Sequence, residues 1–154
     1  MMKTNVMRIL DSQKISYDIL EYDWESDDLS NHKQLVEGAI FKTLVIQGAS
    51  KQYYVFCIPI LKELDLKKAA KIVNEKNIAL IKVQDLLNVT GYIRGGCSPI
   101  GMKKVFPVYL DESALNYDKI GVSAGKRGLQ VIVDPNALAK VTQAIFAHLT
   151  KESL

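Results

Sequence analysis

The sequence lacks any apolar run of about 18 residues, the length from which a helix can span a bilayer. Its first segment, Met1 to Leu10, mixes Lys3, Thr4, Asn5 and Arg8 with apolar positions and does not form the apolar centre of a signal peptide. We therefore expect a cytoplasmic protein that makes no contact with a membrane.

Cysteine and histidine are also scarce, with two of each in the chain. Cys57 and Cys97 lie far apart, and no Cys-x-x-Cys or His-x-x-x-His spacing occurs, so neither a zinc site nor a disulfide framework is predicted. The Walker pattern G-x-x-x-x-G-K-[ST] and the dinucleotide pattern G-x-G-x-x-G are missing as well. We expect no metal ion and no cofactor.

The composition that is present predicts one domain covering 1–154. The chain has 154 residues, of which 48% are hydrophobic and 24% charged, as in ordinary globular proteins. Its net charge of +3 and its clusters of basic residues at 67–71, 103–104 and 126–127 are compatible with a polyanionic partner. Solvated lysines on exposed faces would give the same pattern, so charge alone does not decide.

Apolar periodicity predicts strands at 16–22, 40–47, 52–60, 78–83, 104–111, 120–123 and 129–133. Helices are predicted around 6–10, at 31–37, after Asp65, at 84–90 and from Asp134 through Leu149, and 23–28 is predicted to be a loop. The elements do not alternate strictly, so a mixed, mostly antiparallel sheet wrapped by helices is favoured over a doubly wound parallel sheet.

Lys42 occupies a strand position where a core residue is expected. Period-two alternation places it on the same face as Ile40, Leu44 and Ile46. An unpaired buried ammonium is costly, so this side chain must reach solvent, pair with a carboxylate or bind an anionic ligand. The reading without a ligand is a lysine that protects a strand edge from aggregation.

Two glycine-rich segments are candidate loops of a binding site. Gly91–Gly101 holds four glycines and one proline, and such a backbone can direct N–H groups at an anion or a developing oxyanion. Ser123–Gly128 combines a hydroxyl, two glycines and two cations, which suits phosphate or sugar oxygens. Plain structural turns would look much the same in both places.

Five segments, taken in order, resemble the YbaK family: Phe-Lys-Thr-Leu at 41–44, Leu-Asp-Leu-Lys-Lys at 64–68, Thr-Gly-Tyr at 90–92, Gly-Gly-Cys-Ser-Pro-Ile-Gly at 95–101 and Ser-Ala-Gly-Lys-Arg-Gly at 123–128. That family includes Cys-tRNA(Pro) deacylases and is similar to the editing domain of bacterial prolyl-tRNA synthetases. The resemblance implies an α+β fold with a curved, barrel-like, mixed and mostly antiparallel sheet surrounded by helices. It also implies hydrolysis of the ester bond of a mischarged aminoacyl-tRNA, most of all Cys-tRNA(Pro).

The resemblance assigns roles to individual positions. It implies catalytic roles for Lys42, Gly95, Gly96 and Ser98, and substrate-binding roles for Tyr22, Thr43, Cys97, Pro99, Gly101, Ser123, Gly125 and Gln130. Lys42 is expected to orient the tRNA end while backbone amides between Gly95 and Ser98 stabilise the oxyanion.

No protein nucleophile is predicted. An aminoacyl ester is already activated, so positioned water or the thiol of a cysteinyl substrate can attack it. The segment at 96–100 misses the G-x-S-x-G elbow because Ile100 replaces the final glycine. The chain also departs from its family, because some relatives carry a carboxylate where it has Gln130 and the segment between Tyr22 and Lys42 is shorter.

Three readings therefore stay open beside Cys-tRNA(Pro) hydrolysis. One is an alanyl-tRNA(Pro) deacylase, and another is a tRNA-binding or nucleotide-binding module that kept the fold and lost turnover. A third is a partner that edits only in complex with prolyl-tRNA synthetase. The oligomeric state is left open by the sequence.

Overall fold

The computed structural model describes residues 2–23 and 38–152. Its α-helices within these ranges are α1 (Asn5–Ser12), α2 (Leu66–Ile72), α3 (Val83–Thr90) and α4 (Pro135–Thr142), with a 3₁₀ helix at Glu112–Asn116. Its strands are β1 (Asp18–Glu21), β2 (Phe41–Gly48), β3 (Tyr53–Pro59), β4 (Ile78–Leu80), β5 (Val108–Asp111), β6 (Ile120–Lys126), β7 (Leu129–Val133) and β8 (Ile145–Ala147). No helix in the described part of the chain is long and apolar enough to cross a membrane.

The strands form two sheets. A three-stranded sheet has the order β1-β7-β6 and is antiparallel throughout, and a five-stranded sheet has the order β4-β2-β3-β5-β8. In the larger sheet β2 pairs antiparallel with β3 and β4, while β5 runs parallel to β3 and β8. A single parallel bridge from Ile40 to Gly121 joins the two sheets. The mixed α+β class is confirmed, but the closed, barrel-like sheet is not.

Alternation along β2 divides the core. Phe41 belongs to a cluster that includes Val55 and Cys57 of β3 and is shared with α1, β6 and β7. Ile46, on the opposite face, belongs to a cluster with Phe56 of β3 and with α2. The strand is covered on both faces, so an ionisable residue on either one lies in a largely apolar setting.

The capping residues behave as the sequence predicts. The Asp65 carboxylate accepts a hydrogen bond from the Lys68 N–H at 3.1 Å, and the Asp134 carboxylate accepts one from the Ala137 N–H at 3.0 Å. Each satisfies a backbone donor that the first helical turn leaves unpaired. These caps fix where α2 and α4 begin.

The predicted terminal helix is wrong beyond Thr142. Gln143 adopts a left-handed conformation with φ of 56° and ends α4, and 145–147 then forms β8 on the edge of the larger sheet. Apolar residues at Val141, Ile145 and Leu149 keep helical spacing, but pairing with β5 satisfies the backbone at the sheet edge instead. Strand 104–111 is also shorter than predicted, beginning only at Val108. The predicted helix at 31–37 and all but Asp23 of the predicted loop lie outside the described residues.

Candidate active site

A cavity of about 150 Å³ lies where the two sheets face each other. Ser123 of β6 and Gln130 of β7 are a cross-strand pair on one wall, and the start of β2 supplies the opposite wall. The described residues that line it are Tyr22, Phe41, Lys42, Thr43, Ile60, Gly95, Cys97, Ser123 and Gln130. Sites of this kind, concave with a few convergent polar groups, are typical of small-ligand binding.

Lys42 is the second residue of β2 and lies in the cavity wall. It pairs across the strands with Ile58, and its position on the face of Ile46 agrees with the predicted alternation. Its side chain is half-buried, and its ammonium has no hydrogen-bond or ion-pair partner among the residues that the structure describes. β4 covers only Ile46–Gly48, so the protection of a strand edge also fits this position. Its place in the cavity wall supports the ligand-binding reading.

The glycine-rich loop after α3 forms a third wall. Gly91 ends the helix in the left-handed region with φ of 85°, and Gly95 has φ of 86°, a conformation that favours glycine. The N–H of Gly96 donates to the Ile93 carbonyl at 3.0 Å, so this amide is used within the loop. The amides of Gly95 and Cys97, the two cavity-lining residues of this loop, have no backbone acceptor among the described residues. They are the better candidates for oxyanion donors.

Cys97 and Ser98 are held in forms that do not suit nucleophiles. Burial raises the pKa of the Cys97 thiol to about 12, although a hydrogen bond with Thr90 opposes this shift. Ser98 is fully buried, and its hydroxyl oxygen accepts a hydrogen bond from the Ile100 N–H at 3.2 Å. A thiolate or an exposed hydroxyl is what attack would require. The geometry thus agrees with the prediction of chemistry without a protein nucleophile.

The second glycine-rich segment is the β6–β7 hairpin, and it packs directly on the first. The Nε of Arg127 donates to the Arg94 carbonyl at 2.7 Å. A Cβ built on Gly96 would lie 3.1 Å from the Arg127 backbone nitrogen, so only glycine allows this approach without a shift. The contact places the Arg127 side chain beside the cavity residue Gly95, and the exposed residues Arg94 and Lys126 belong to the same two segments. Positive charge in these segments would favour a polyanionic ligand.

Five of the twelve predicted site residues do not line the cavity. Gly96 and Ser98 support the loop from behind, and Gly125 packs against Tyr92 and Val6 with φ of 91°. Pro99 and Gly101 line a separate cavity of about 200 Å³ bounded by α1 and α4 residues. The predicted roles of these five in catalysis or substrate binding stay predictions.

Two lining residues were missed by sequence reasoning. Phe41 and Ile60 are apolar residues at the ends of strong strands, where they are expected to belong to the core. The Ile60 N–H donates to the Ile40 carbonyl at 2.9 Å, which closes the strand pair at the cavity. The predicted ligand at Lys42 is the signal that could have suggested both residues, since a ligand bound by Lys42 must also contact the residues around it.

Among the residues that the structure describes, those that line the cavity include one cation and no carboxylate or histidine. Across the described ranges, no three residues among His, Cys, Asp and Glu gather into a candidate metal site. One lining group stands out because it is buried and unpaired: the side-chain oxygen Oε1 of Gln130 has no hydrogen-bond partner in this part of the chain.

The fold and the cavity define a mixed α+β protein with a small polar cleft that is walled by two glycine-rich loops. Residues 25–141 match the model of the aminoacyl-tRNA editing domain. The chain belongs to this family of aminoacyl-tRNA editing domains, and the family predicted from the five sequence segments is thereby confirmed.

The chain is 46% identical over 153 residues to EbsC of Enterococcus faecalis (strain ATCC 700802 / V583), with 96% of this chain and 93% of EbsC covered. EbsC carries the provisional name Cys-tRNA(Pro)/Cys-tRNA(Cys) deacylase. Two crystal structures share the fold. A provisionally named trans-editing enzyme for prolyl tRNA synthetase has a TM-score of 0.84 at 24% identity, covering 98% of this chain and 100% of its own. The hypothetical protein APE2540 has a TM-score of 0.84 at 19% identity, covering 96% and 100%.

Proposed function

We propose that this protein hydrolyses the ester bond of mischarged aminoacyl-tRNA in trans, with Cys-tRNA(Pro) as its principal substrate. The single observation that carries the proposal is the cavity that joins Lys42 to the loop at Gly95 and Cys97 in a member of the editing-domain family. The name of EbsC, which is 46% identical, supports a cysteinyl substrate. We place this activity in one domain covering 1–154 and in the cytoplasm, where aminoacyl-tRNA is used.

The mechanism assigns a separate task to each wall. Lys42 donates hydrogen bonds and positive charge to oxygens of the tRNA terminus, which orients the ester in the cleft. The amides of Gly95 and Cys97 stabilise the negative charge that develops on the carbonyl oxygen during attack. The bond between the acyl carbon and the ribose oxygen then breaks, and the ribose leaves as a hydroxyl after taking up a proton.

The attacking group comes from solvent or from the substrate. The described part of the cavity lining holds no carboxylate or histidine, and the Cys97 thiol stays protonated at neutral pH because burial raises its pKa to about 12. A cysteinyl substrate carries its own thiol within reach of its carbonyl carbon. After losing its proton to solvent, this thiolate can attack the ester, which releases the ribose hydroxyl and a cyclic thiolactone that water then opens to cysteine. Neither route uses a metal ion.

The cations outside the cleft suit the acceptor end of tRNA. Arg94 and Lys126 are exposed, and they lie on the two loops that pack together beside Gly95. Phosphate contacts from such residues supply affinity without reading sequence. A complex with prolyl-tRNA synthetase would extend this tRNA-binding surface.

The substrate class is tested by release of labelled amino acid from tRNA(Pro) charged separately with cysteine, alanine and proline, with chelator present. Rapid release of cysteine, slower release of alanine and none of proline is the expected result. Preferred release of alanine would replace the substrate with Ala-tRNA(Pro). Binding of all three species without release would favour the binding module, and release only after addition of prolyl-tRNA synthetase would favour the partner reading.

A further inference from the structure

The side-chain oxygen of Gln130 is buried, and no described residue donates a hydrogen bond to it. Gln130 lies in β7, the middle strand of the smaller sheet, opposite Leu20 of β1 and Ser123 of β6. The residue is 5% exposed, and its Oε1 has no hydrogen-bond partner within 2–23 and 38–152. Its polar cross-strand neighbour Ser123 accepts a hydrogen bond from the Gly125 N–H at 3.2 Å and makes no hydrogen bond with Oε1.

A buried hydrogen-bond acceptor without a donor lowers the free energy of unfolding. Burial of an unpaired amide oxygen costs about 1–3 kcal/mol, and an apolar residue of similar size at the same place would avoid the cost. Both cross-strand neighbours of Gln130 are themselves buried, so an apolar side chain would suit the sheet. A hydrogen-bond donor on a bound ligand therefore explains why a polar residue occupies this position.

The other polar groups of the cavity narrow the identity of that donor. Lys42 can only donate hydrogen bonds, so in a complex it suits ligand oxygens. The Thr43 hydroxyl contacts the Cys57 sulfur at 3.8 Å, and no carboxylate lines the cavity within 2–23 and 38–152. An aminoacyl ester brings carbonyl and ribose oxygens for Lys42 and the loop amides, and it also brings one strong donor group, the α-ammonium of the amino acid. Within the lining, the acceptor that is both buried and unused is Oε1 of Gln130.

We propose that Oε1 of Gln130 accepts a hydrogen bond from the free α-amino group of the aminoacyl ester, and that the protein thereby selects aminoacyl-tRNA over N-acylated aminoacyl-tRNA. This inference rests on the proposed function. A neutral amide suits the role, because a carboxylate in the same cavity would attract the ammonium of Lys42 as well as that of the substrate. Gln130 is thus a specificity-determining residue, and an N-acyl group would both remove the charge and occupy the space beside Oε1.

The test compares Cys-tRNA(Pro) with N-acetyl-Cys-tRNA(Pro) on wild type, Gln130→Met and Gln130→Glu proteins. Wild type should prefer the free amine by about 10-fold or more in kcat/KM, in line with the loss of one buried charged hydrogen bond. Gln130→Met should lose most of this preference. Gln130→Glu still accepts a hydrogen bond and should keep the preference, but with a lower kcat/KM for both substrates because its carboxylate also attracts Lys42. Retention of the full preference by Gln130→Met would overturn the inference.

Two further measurements separate this inference from a structural role and from the proposed function. Thermal unfolding should give Gln130→Met a midpoint equal to or above that of wild type, because the orphaned acceptor is gone. A lower midpoint together with an unchanged substrate preference would mean that the residue is structural. If wild type hydrolyses neither substrate, titration with a non-hydrolysable 3′-aminoacylamido-adenosine and its N-acetyl form still decides. Equal Kd values for the two analogues on wild type would refute amino-group recognition.

Discussion

The Nε of Arg127 donates a hydrogen bond to the carbonyl oxygen of Arg94 at 2.7 Å, and this contact joins the two glycine-rich loops. The residues are far apart in sequence, but the bond fixes the β6–β7 hairpin against the loop that carries Gly95 and Cys97. The position of the proposed oxyanion donors therefore depends on a side chain that does not line the cavity.

Loss of the Arg127 side chain should slow catalysis more than it destabilises the protein. Arg127→Met removes the donor, and we expect about a tenfold lower rate of deacylation at saturating substrate, because small displacements of catalytic groups are costly. Arg127→Lys keeps the charge but not the planar guanidinium, so it should also be slow. Full activity of the lysine variant would show that charge alone matters at this position. Single-turnover rates and melting curves measure both effects.

Gly96 and Gly91 provide a matched pair of substitutions in one loop. A Cβ on Gly96 would lie 3.1 Å from the Arg127 backbone nitrogen. A Cβ on Gly91 would make only ordinary contacts with Lys103, at 3.6 Å from its Cβ and 4.0 Å from its backbone nitrogen. Gly91→Ala should cost about 1–2 kcal/mol because of its left-handed backbone, and the folded protein should stay active. Gly96→Ala should lose both stability and activity because the hairpin must shift. Urea unfolding and deacylation rates test the contrast, which equal activities would contradict.

Cys97 should be dispensable for the chemistry although it lines the cavity. Its thiol is buried and its pKa is raised to about 12, so Cys97→Ala should retain deacylation within about threefold of wild type. Mass spectrometry of wild type during turnover should detect no acyl adduct. A covalent adduct on this residue, or complete loss of activity in the folded alanine variant, would require a nucleophilic mechanism instead.

Acid should weaken the β2–β3 hairpin through Glu75. The Glu75 carboxylate accepts hydrogen bonds from the Ser50 N–H at 3.1 Å, from the Ser50 hydroxyl and from the Tyr54 hydroxyl at 2.7 Å. The Ser50 and Tyr54 hydrogen bonds lower the pKa of Glu75 below its ordinary value of 4.5. Its contribution is therefore complete above pH 4.5 and is lost as the pH falls through the lower folded-state pKa. Glu75→Gln should flatten this part of the stability profile, while Glu63→Gln, at an exposed ion pair with Lys151, serves as control.

The cavity residues that could be predicted from the sequence are those that conflict with the pattern of their own segment. Lys42 is visible because a cation on an apolar strand face conflicts with its surroundings, and the glycines of 91–101 are visible because they interrupt regular structure. Phe41 and Ile60 give no such signal, since an apolar residue in a strand is explained by the core. Their place in the cavity depends on how two sheets meet, which local periodicity does not encode.

The errors in the fold have a similar origin. The spacing of Val141, Ile145 and Leu149 is helical, yet Gln143 ends the helix and the following residues complete a sheet edge. Backbone pairing between distant segments decided this case, and a single sequence carries little information about it.

The most direct test of the proposed function is the rate of cysteine release from Cys-tRNA(Pro) by wild type, Lys42→Ala and Lys140→Ala proteins in chelator. Lys140 is exposed on α4 and does not line the cavity, so its variant controls for the loss of one positive charge. We expect Lys42→Ala to fold normally and to release cysteine about 100-fold or more slowly than wild type, while Lys140→Ala matches wild type. Equal rates for all three proteins would contradict the role proposed for Lys42.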